Sequence, residues 1–253
     1  MRGLTKTNHI NQENFIIEPA GDAAIVVRYG NEIEYSVHRK VQMLSNYLTQ
    51  NSFKGFIECI PSYTSLTVFY DPLLVEKSHA YKVGKMVSPY KDVRSIIEDM
   101  LTNLKDEEIE THRTVEIPVC YGGECGPDLE FVAKQNNLTT DEVISLHSGG
   151  EYLVYMLGFA PGFPFLGGMS EKIATPRRST PRTSIPAGSV GIAGKQTGVY
   201  PISTPGGWQL IGQTPLSLFL SEKEPPSLLQ AGDIVKFYPI SYNDFLEWKE
   251  GKK

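Results

Sequence analysis

Residues 151–215 read EYLVYMLGFAPGFPFLGGMSEKIATPRRSTPRTSIPAGSVGIAGKQTGVYPISTPGGWQLIGQTP. This stretch decides the fold. It holds 11 of the chain's 23 glycines and 8 of its 17 prolines, so its backbone is specified closely. Glycine admits φ > 0 and close backbone approach, while proline fixes φ and is barred from central strands and helix interiors. Between these breakers run short apolar or β-branched segments at residues 152–159, 189–193, 199–203 and 208–212. Short strands joined by shaped loops predict a closed, barrel-like sheet. The stretch also carries two acidic and five basic residues in a chain of net charge −5. A basic, glycine-rich region in an acidic protein suits an anionic ligand or partner, and equally a solvated basic face on a structural barrel.

Upstream, the periodicity changes. Residues 15–18 and 23–29 read as strands around the turn Pro19-Ala20-Gly21-Asp22. Asn31 with Glu34 has capping-box spacing, and Ile33, Val37, Val41, Leu44 and Leu48 form one helical stripe. Residues 56–61 and 66–70 predict a hairpin about residues 62–65. Ser88-Pro89 then opens a helix striped by Val93, Ile96, Ile97, Met100, Leu101 and Leu104. The order β-β-α-β-β-α predicts an α+β domain over residues 1–110, with the acidic run KDEEIE at 105–110 as the linker start. Residues 1–13 read as frayed, and residues 72–88 as ambiguous.

The second domain, residues 111–253, begins with a strand at 112–119. A helical excursion follows: Gly126-Pro127 opens one short helix, and Thr139 with Glu142 caps another that ends near His147. A last strand is expected at 234–238. The tail from 244 to 253 is charged and shows no evident chemistry.

Composition excludes several classes. With 40% hydrophobic and 21% charged residues the chain reads as globular. No apolar run has the length of a membrane span, the N-terminal residues lack an apolar leader core, and three cysteines fit a reducing compartment, so a cytoplasmic protein is expected. Cys120 and Cys125 have poor zinc-site spacing and read as structural, so no metal site is expected. The acidic balance disfavours nucleic acid. There is no GxSxG, HExxH, Walker A or CxxC motif, so a complete catalytic set is not visible in this chain alone.

Chemistry-bearing residues nevertheless cluster in or beside the decisive stretch. His147 ends a helix, where carbonyl dipoles favour its cation; it reads either as a working histidine or as a surface one. Tyr155 and Tyr200 lie on apolar strands and read first as core, with Ser189 nearby. Gln196 and Thr197, flanked by Gly194 and Gly198, are expected in a ligand-facing loop. Trp208 follows the rigid Pro205-Gly206-Gly207 approach as a pocket wall or barrel plug. Two glycines ahead of a large aromatic suggest φ > 0 or close approach at Gly206 and Gly207. TPRRS and TPRTS repeat one pentapeptide: in an extended chain Arg178 and Arg182 share a face and Arg177 points away. A three-arginine clamp therefore needs a bend at Pro181. Arg182, the better anchored, is expected to serve the ligand in preference to Arg177.

The ordered set Gly158-Phe159-x-Pro161-Gly162-Phe163-x-x-Leu166-Gly167, Pro176-Arg177, Thr180-Pro181-Arg182, Pro186-Ala187-Gly188-Ser189-Val190, Gly194-x-Gln196-Thr197-Gly198-x-Tyr200-Pro201 and Pro205-Gly206-Gly207-Trp208 resembles the family of 5-oxoprolinase B-type subunits. The family is also known as the sporulation histidine-kinase inhibitor KipI or allophanate hydrolase subunit 1. The resemblance implies a cyclophilin-like β-barrel behind a small α+β domain. It implies a subunit of an ATP-dependent enzyme, with magnesium, that opens 5-oxo-L-proline to L-glutamate. The partners implied are a C-type subunit completing a composite site and an A-type subunit, with ATP bound on or shared with a partner. In that reading His147 and Arg182 are the candidate catalytic residues. Tyr155, Arg178, Ser189, Gln196, Thr197, Tyr200 and Trp208 contact ligand, and Gly158, Gly162, Gly188, Gly194, Gly206 and Gly207 shape the loops. The alternative is a binding protein that inhibits a sporulation sensor histidine kinase through the proline-rich segment 174–186, whose backbone is already ordered. Prolyl isomerisation rests on fold analogy alone.

Overall fold

The computed structural model describes residues 15–32, 34–78, 88–104 and 113–251. Its contacts divide the chain into two compact units, Met1–Thr111 and His112–Lys253. The expected frayed start, the residue Ile33, most of the ambiguous segment and the acidic run at 105–110 lie outside the described residues.

In the first unit four antiparallel strands lie in the order β1-β2-β4-β3, with β1 at Ile16–Pro19, β2 at Ala24–Arg28, β3 at Phe56–Pro61 and β4 at Ser65–Tyr70. Strict alternation in β4 buries Leu66, Val68 and Tyr70. The register Ile25↔Val68 and Val27↔Leu66 puts β2 residues on the same face. That face packs with Val41, Leu44 and Leu48 of α1 (Tyr35–Gln50) and Val93 and Ile97 of α3 (Pro89–Asn103). A short α2, Pro72–Ser78, follows β4; its start is held by Asp71, whose Oδ1 accepts from the N–H of Leu73 at 2.8 Å.

The Asn31 capping box is not formed. Helix α1 starts three residues later than that spacing requires, with extended Glu34 itself as N-cap and no side-chain cap bond. Glu34 therefore cannot serve as the third helical residue of a box. Pro89 does occupy the first turn of α3, although Ser88 makes no side-chain cap.

The second unit is a closed seven-stranded barrel in the order β10-β7-β6-β13-β5-β12-β9. Its members are β5 Thr114–Tyr121, β6 Tyr152–Leu157, β7 Pro164–Gly167, β9 Ser189–Ala193, β10 Gln196–Val199, β12 Gln209–Gln213 and β13 Ile234–Pro239. Strands β5 and β13 run parallel, Ile234 opposite Thr114, which brings the two ends of the unit together. A separate two-stranded ribbon pairs β8, Arg182–Ile185, with β11, Thr204–Gly206. Ile117, Val119, Tyr152, Val154, Val190, Ile192, Ile211 and Phe237 fill the core, joined by Leu129, Val132 and Val143 from helices α4 (Leu129–Gln135) and α5 (Thr140–Ser148).

Several boundaries in this unit differ from expectation: the strands expected at 112–119, 152–159 and 208–212 span Thr114–Tyr121, Tyr152–Leu157 and Gln209–Gln213. The strand expected at 199–203 instead spans Gln196–Val199, so Gln196 and Thr197 are strand residues and not loop residues. Ala193 pairs with Gln196 across a two-residue turn whose first position, Gly194, has φ +59°. Pro201, lacking an N–H, cannot continue the ladder. The tail also folds: α6, Tyr242–Lys249, is capped by Ser241 and lays Phe245 on Cys120 and Cys125.

Candidate functional site

His147 is the first residue to follow from sequence into space. The capping box of α5 forms as its sequence predicts, the N–H of Thr139 donating to Glu142 Oε2 at 2.7 Å and that of Glu142 to Thr139 Oγ1 at 3.2 Å. The helix so fixed carries His147 fully into the barrel interior. There its ring stacks on Phe237, centroids 4.7 Å apart. The Thr197 hydroxyl donates to the Gly191 carbonyl at 3.1 Å, so Thr197 Oγ1 accepts from His147 Nε2–H at 2.8 Å. Nδ1 is then the acceptor for the Tyr121 hydroxyl, also at 2.8 Å. The Tyr152 hydroxyl donates to the His147 carbonyl at 2.6 Å.

Burial lowers the imidazole pKa to about 3. The expectation of a cationic, helix-terminal histidine is therefore overturned: with no charge partner, desolvation outweighs the helix dipole. Both ring nitrogens are engaged within the barrel, and so is Thr197.

The repeated pentapeptide has an equally definite role. The N–H of Arg178 donates to Gly207 O at 2.8 Å, and Gln209 Nε2 donates to Pro176 O at 3.0 Å, so the strap 175–182 lies along the start of β12. Arg178 and Arg182 do share a face, and both converge on Asp128. Arg182 Nη1 and Nη2 donate to its two carboxylate oxygens at 2.8 and 2.9 Å, and Arg178 Nη1 donates to Oδ1 at 2.9 Å. The Leu210 N–H adds a fourth bond at 2.7 Å. Asp128 is 5% exposed.

Sequence reasoning missed Asp128, which occupies the N-cap position of α4 but turns its carboxylate away from the helix. The one signal in the sequence was the pair of arginines four residues apart on one face of the strap, which suits a shared carboxylate partner. Arg182, expected to face a ligand, is one half of this clasp. Arg177 takes no part in the clasp and is exposed.

The glycine- and aromatic-rich segments meet in a small second core. Phe163 stands edge-on to Phe159, Phe165, Tyr200 and Trp208, with centroids 5.2–5.8 Å apart. Ile185, Ala193 and Leu210 complete it. Trp208 is thus a buried plug and Tyr200 a core residue; burial raises the Tyr200 hydroxyl pKa, while the Arg177 charge pulls it down. Tyr155 is buried over Gly167, where an added Cβ would meet its ring at 2.0 Å. Ser189 is buried in β9, and Gln196 is half-buried in β10.

Of the loop glycines, Gly162, Gly188 and Gly194 have positive φ, and Gly158, Gly206 and Gly207 do not. The expectation for the Pro205-Gly206-Gly207-Trp208 loop thus holds at one position and through one cause only. A Cβ on Gly206 would lie 2.5 Å from Ile185 and 2.7 Å from the Tyr200 hydroxyl, whereas at Gly207 nothing is closer than 3.6 Å.

The loop between β6 and β7 presents the second feature that sequence reasoning missed. Phe159 has φ +68° and is 72% exposed. A bulky side chain in the left-handed region is strained, and such strain concentrates at functional sites. The loop is closed by its own backbone, Gly158 N–H to Phe163 O at 3.1 Å and Ala160 N–H to Gly158 O at 2.8 Å. It lines a recess of about 350 Å³ running from Leu157 to Gly162. Among the described residues no three or more His, Cys, Asp or Glu side chains come together to hold a metal, and no helix is long and apolar enough to cross a membrane.

The chain is similar to several known proteins. Residues 15–229 match the model of the carboxyltransferase domain, subdomain C and D. The chain is 58% identical to the B-type subunit of 5-oxoprolinase from Bacillus subtilis (strain 168) over 234 residues, covering 92% of this chain and 96% of that protein. The crystal structure of conserved uncharacterized protein PH0987 from Pyrococcus horikoshii shares 47% identity, covers 91% of this chain and all of that one, and superposes with TM-score 0.52. Crystalline TTHA0988 shares 33% identity and TM-score 0.72 over 86% of this chain, but over only 40% of its own length. The chain belongs to the carboxyltransferase subdomain C and D family, in the branch that contains the B-type subunits of 5-oxoprolinase.

Proposed function

We propose that this chain is the B-type subunit of an ATP-dependent 5-oxoprolinase, which converts 5-oxo-L-proline to L-glutamate and works only with partner subunits. The observation that carries the reading is the 58% identity over 96% of the length of a B-type 5-oxoprolinase subunit. The lactam is a stable amide, so its opening calls for activation by phosphoryl transfer. A composite site with a C-type subunit, and an adjoining A-type subunit, accounts for what this chain lacks. Its buried histidine and two of its strap arginines are engaged internally. TTHA0988, in which a similar fold makes up 40% of a longer chain, is in keeping with such an assembly. ATP, with its magnesium, belongs in this reading to a site held or shared by a partner, since the chain has no phosphate-cradling loop of the Walker type. A cytoplasmic setting fits three cysteines that are all free.

The test is ATP-dependent loss of 5-oxo-L-proline by the purified chain, alone and combined with A- and C-type subunits. Turnover only by the combination is expected. Substantial turnover by the chain alone would end the composite-site reading, and inactivity of the full set would bring forward inhibition of a sensor histidine kinase.

A further inference from the structure

Charge is distributed unevenly around the strap. Residues 172–221 contain no aspartate or glutamate, and they carry Lys172, Arg177, Arg178, Arg182 and Lys195. Lys195 pairs with Glu171 at 2.6 Å, and Arg178 and Arg182 share the single carboxylate of Asp128. Arg177 is exposed and makes no hydrogen bond or ion pair among the described residues.

Its backbone is anchored on both sides. The carbonyl before it, Pro176 O, accepts from buried Gln209, and the N–H after it, on Arg178, donates to Gly207 O. The Asp128 clasp fixes the next turn of chain. The backbone from which this side chain leaves is thus held in place, and the Arg177 charge pulls the Tyr200 hydroxyl pKa down. A guanidinium recognises a carboxylate best when its base is preorganised, because less freedom is lost on binding.

We infer that Arg177 is the residue of this chain that grips the carboxylate of a small carboxylic-acid substrate, while Arg178 and Arg182 hold the strap that carries it. This rests on the proposed function, in which that substrate is a lactam acid.

The complex of this chain with its partner subunits is assayed with 5-oxo-L-proline as wild type, Arg177→Gln and Arg177→Lys, each checked for unchanged melting temperature. Arg177→Gln is expected to raise KM about tenfold to a hundredfold with a much smaller change in kcat, and Arg177→Lys to recover part of the loss. Inhibition by 2-pyrrolidinone, the same ring without the carboxylate, is expected to be equal in wild type and Arg177→Gln. An unchanged KM, or a matching loss of 2-pyrrolidinone inhibition, overturns the inference. In a second arm the full chain, labelled with nitrogen-15 and assembled with its unlabelled partner subunits, is titrated with 5-oxo-L-proline and with acetate while the Arg177 Nε–H resonance is followed. A shift that saturates with both ligands supports the carboxylate site even if the complex turns over no 5-oxo-L-proline, in which case only the functional reading fails. A resonance that does not move with either ligand overturns the inference.

Discussion

Arg182 grips Asp128 end-on, Nη1 to Oδ2 at 2.8 Å and Nη2 to Oδ1 at 2.9 Å, across 54 positions of sequence. The pair joins the strap to the start of α4 and, through the Leu210 N–H, to the barrel wall. Its acid is buried, while its arginine side chain is 23% exposed and that of Arg178 35%.

Removing the acid strands two guanidinium groups and a buried N–H, and removing one arginine leaves the other in place. Asp128→Ala is therefore expected to destabilise by about 2–4 kcal/mol, and Arg178→Ala by clearly less. Denaturant unfolding of the two variants and of the double variant checks this. If Arg178→Ala costs as much in the Asp128→Ala background as in wild type, the two residues are not coupled and the clasp is refuted.

Stability should also depend on pH through His147. Folded His147 takes up its proton only near pH 3, and an unfolded histidine does so near pH 6.5. Between those values the unfolded chain binds the extra proton, so this residue lowers stability as pH falls from about 7 towards 4. Its contribution approaches about 1.4 kcal/mol per pH unit. Carboxylates titrate in part of the same window, so the informative comparison is between variants. His147→Gln should show a melting temperature that depends less steeply on pH between 4 and 6.5. Parallel curves would mean that the histidine is protonated in the fold.

Gly206 and Gly207 are expected to separate cleanly. Neither has positive φ, so conformational strain plays no part. Gly206→Ala must push against Ile185 and the Tyr200 hydroxyl in a packed cluster, at a cost of about 1–3 kcal/mol. Gly207→Ala meets only ordinary contacts and should melt within a degree or two of wild type. Equal melting of the two variants would contradict the packing seen around Gly206.

Much of this architecture is legible in local pattern. The period-two run of β4, the stripes of α1 and α3 and the Thr139–Glu142 box each report a structure made by neighbours in sequence. The site is less legible because its decisive contacts are distant. Alternation along the strap put Arg178 and Arg182 on one face, but only the fold brings Asp128 under them. The helix dipole argued for a charged His147, and only the barrel shows a ring deprived of water. The glycines of 194–198 suggested a loop, yet Gly198 lies within β10, packed beneath Phe163 and Trp208.

Function and stability should part company at Phe159. A phenylalanine held at φ +68° is strained by roughly 1–2 kcal/mol relative to glycine, and with 72% of its surface in water it recovers little by packing. Its one ring contact among the described residues, with Phe163, is edge-on at 5.5 Å. Phe159→Gly should therefore melt no lower than wild type, because relief of strain offsets the lost contact, although glycine also loosens the unfolded chain. If the ring is kept exposed in order to meet a partner chain or substrate, the same variant should lose activity or assembly in the reconstituted complex. The measurements are a thermal melt of the isolated chain and turnover with sedimentation of the complex. A stable variant with impaired assembly or turnover assigns the strain to function. A destabilised one returns Phe159 to the aromatic cluster as an ordinary packing residue, and a stable, fully active one removes it from the site.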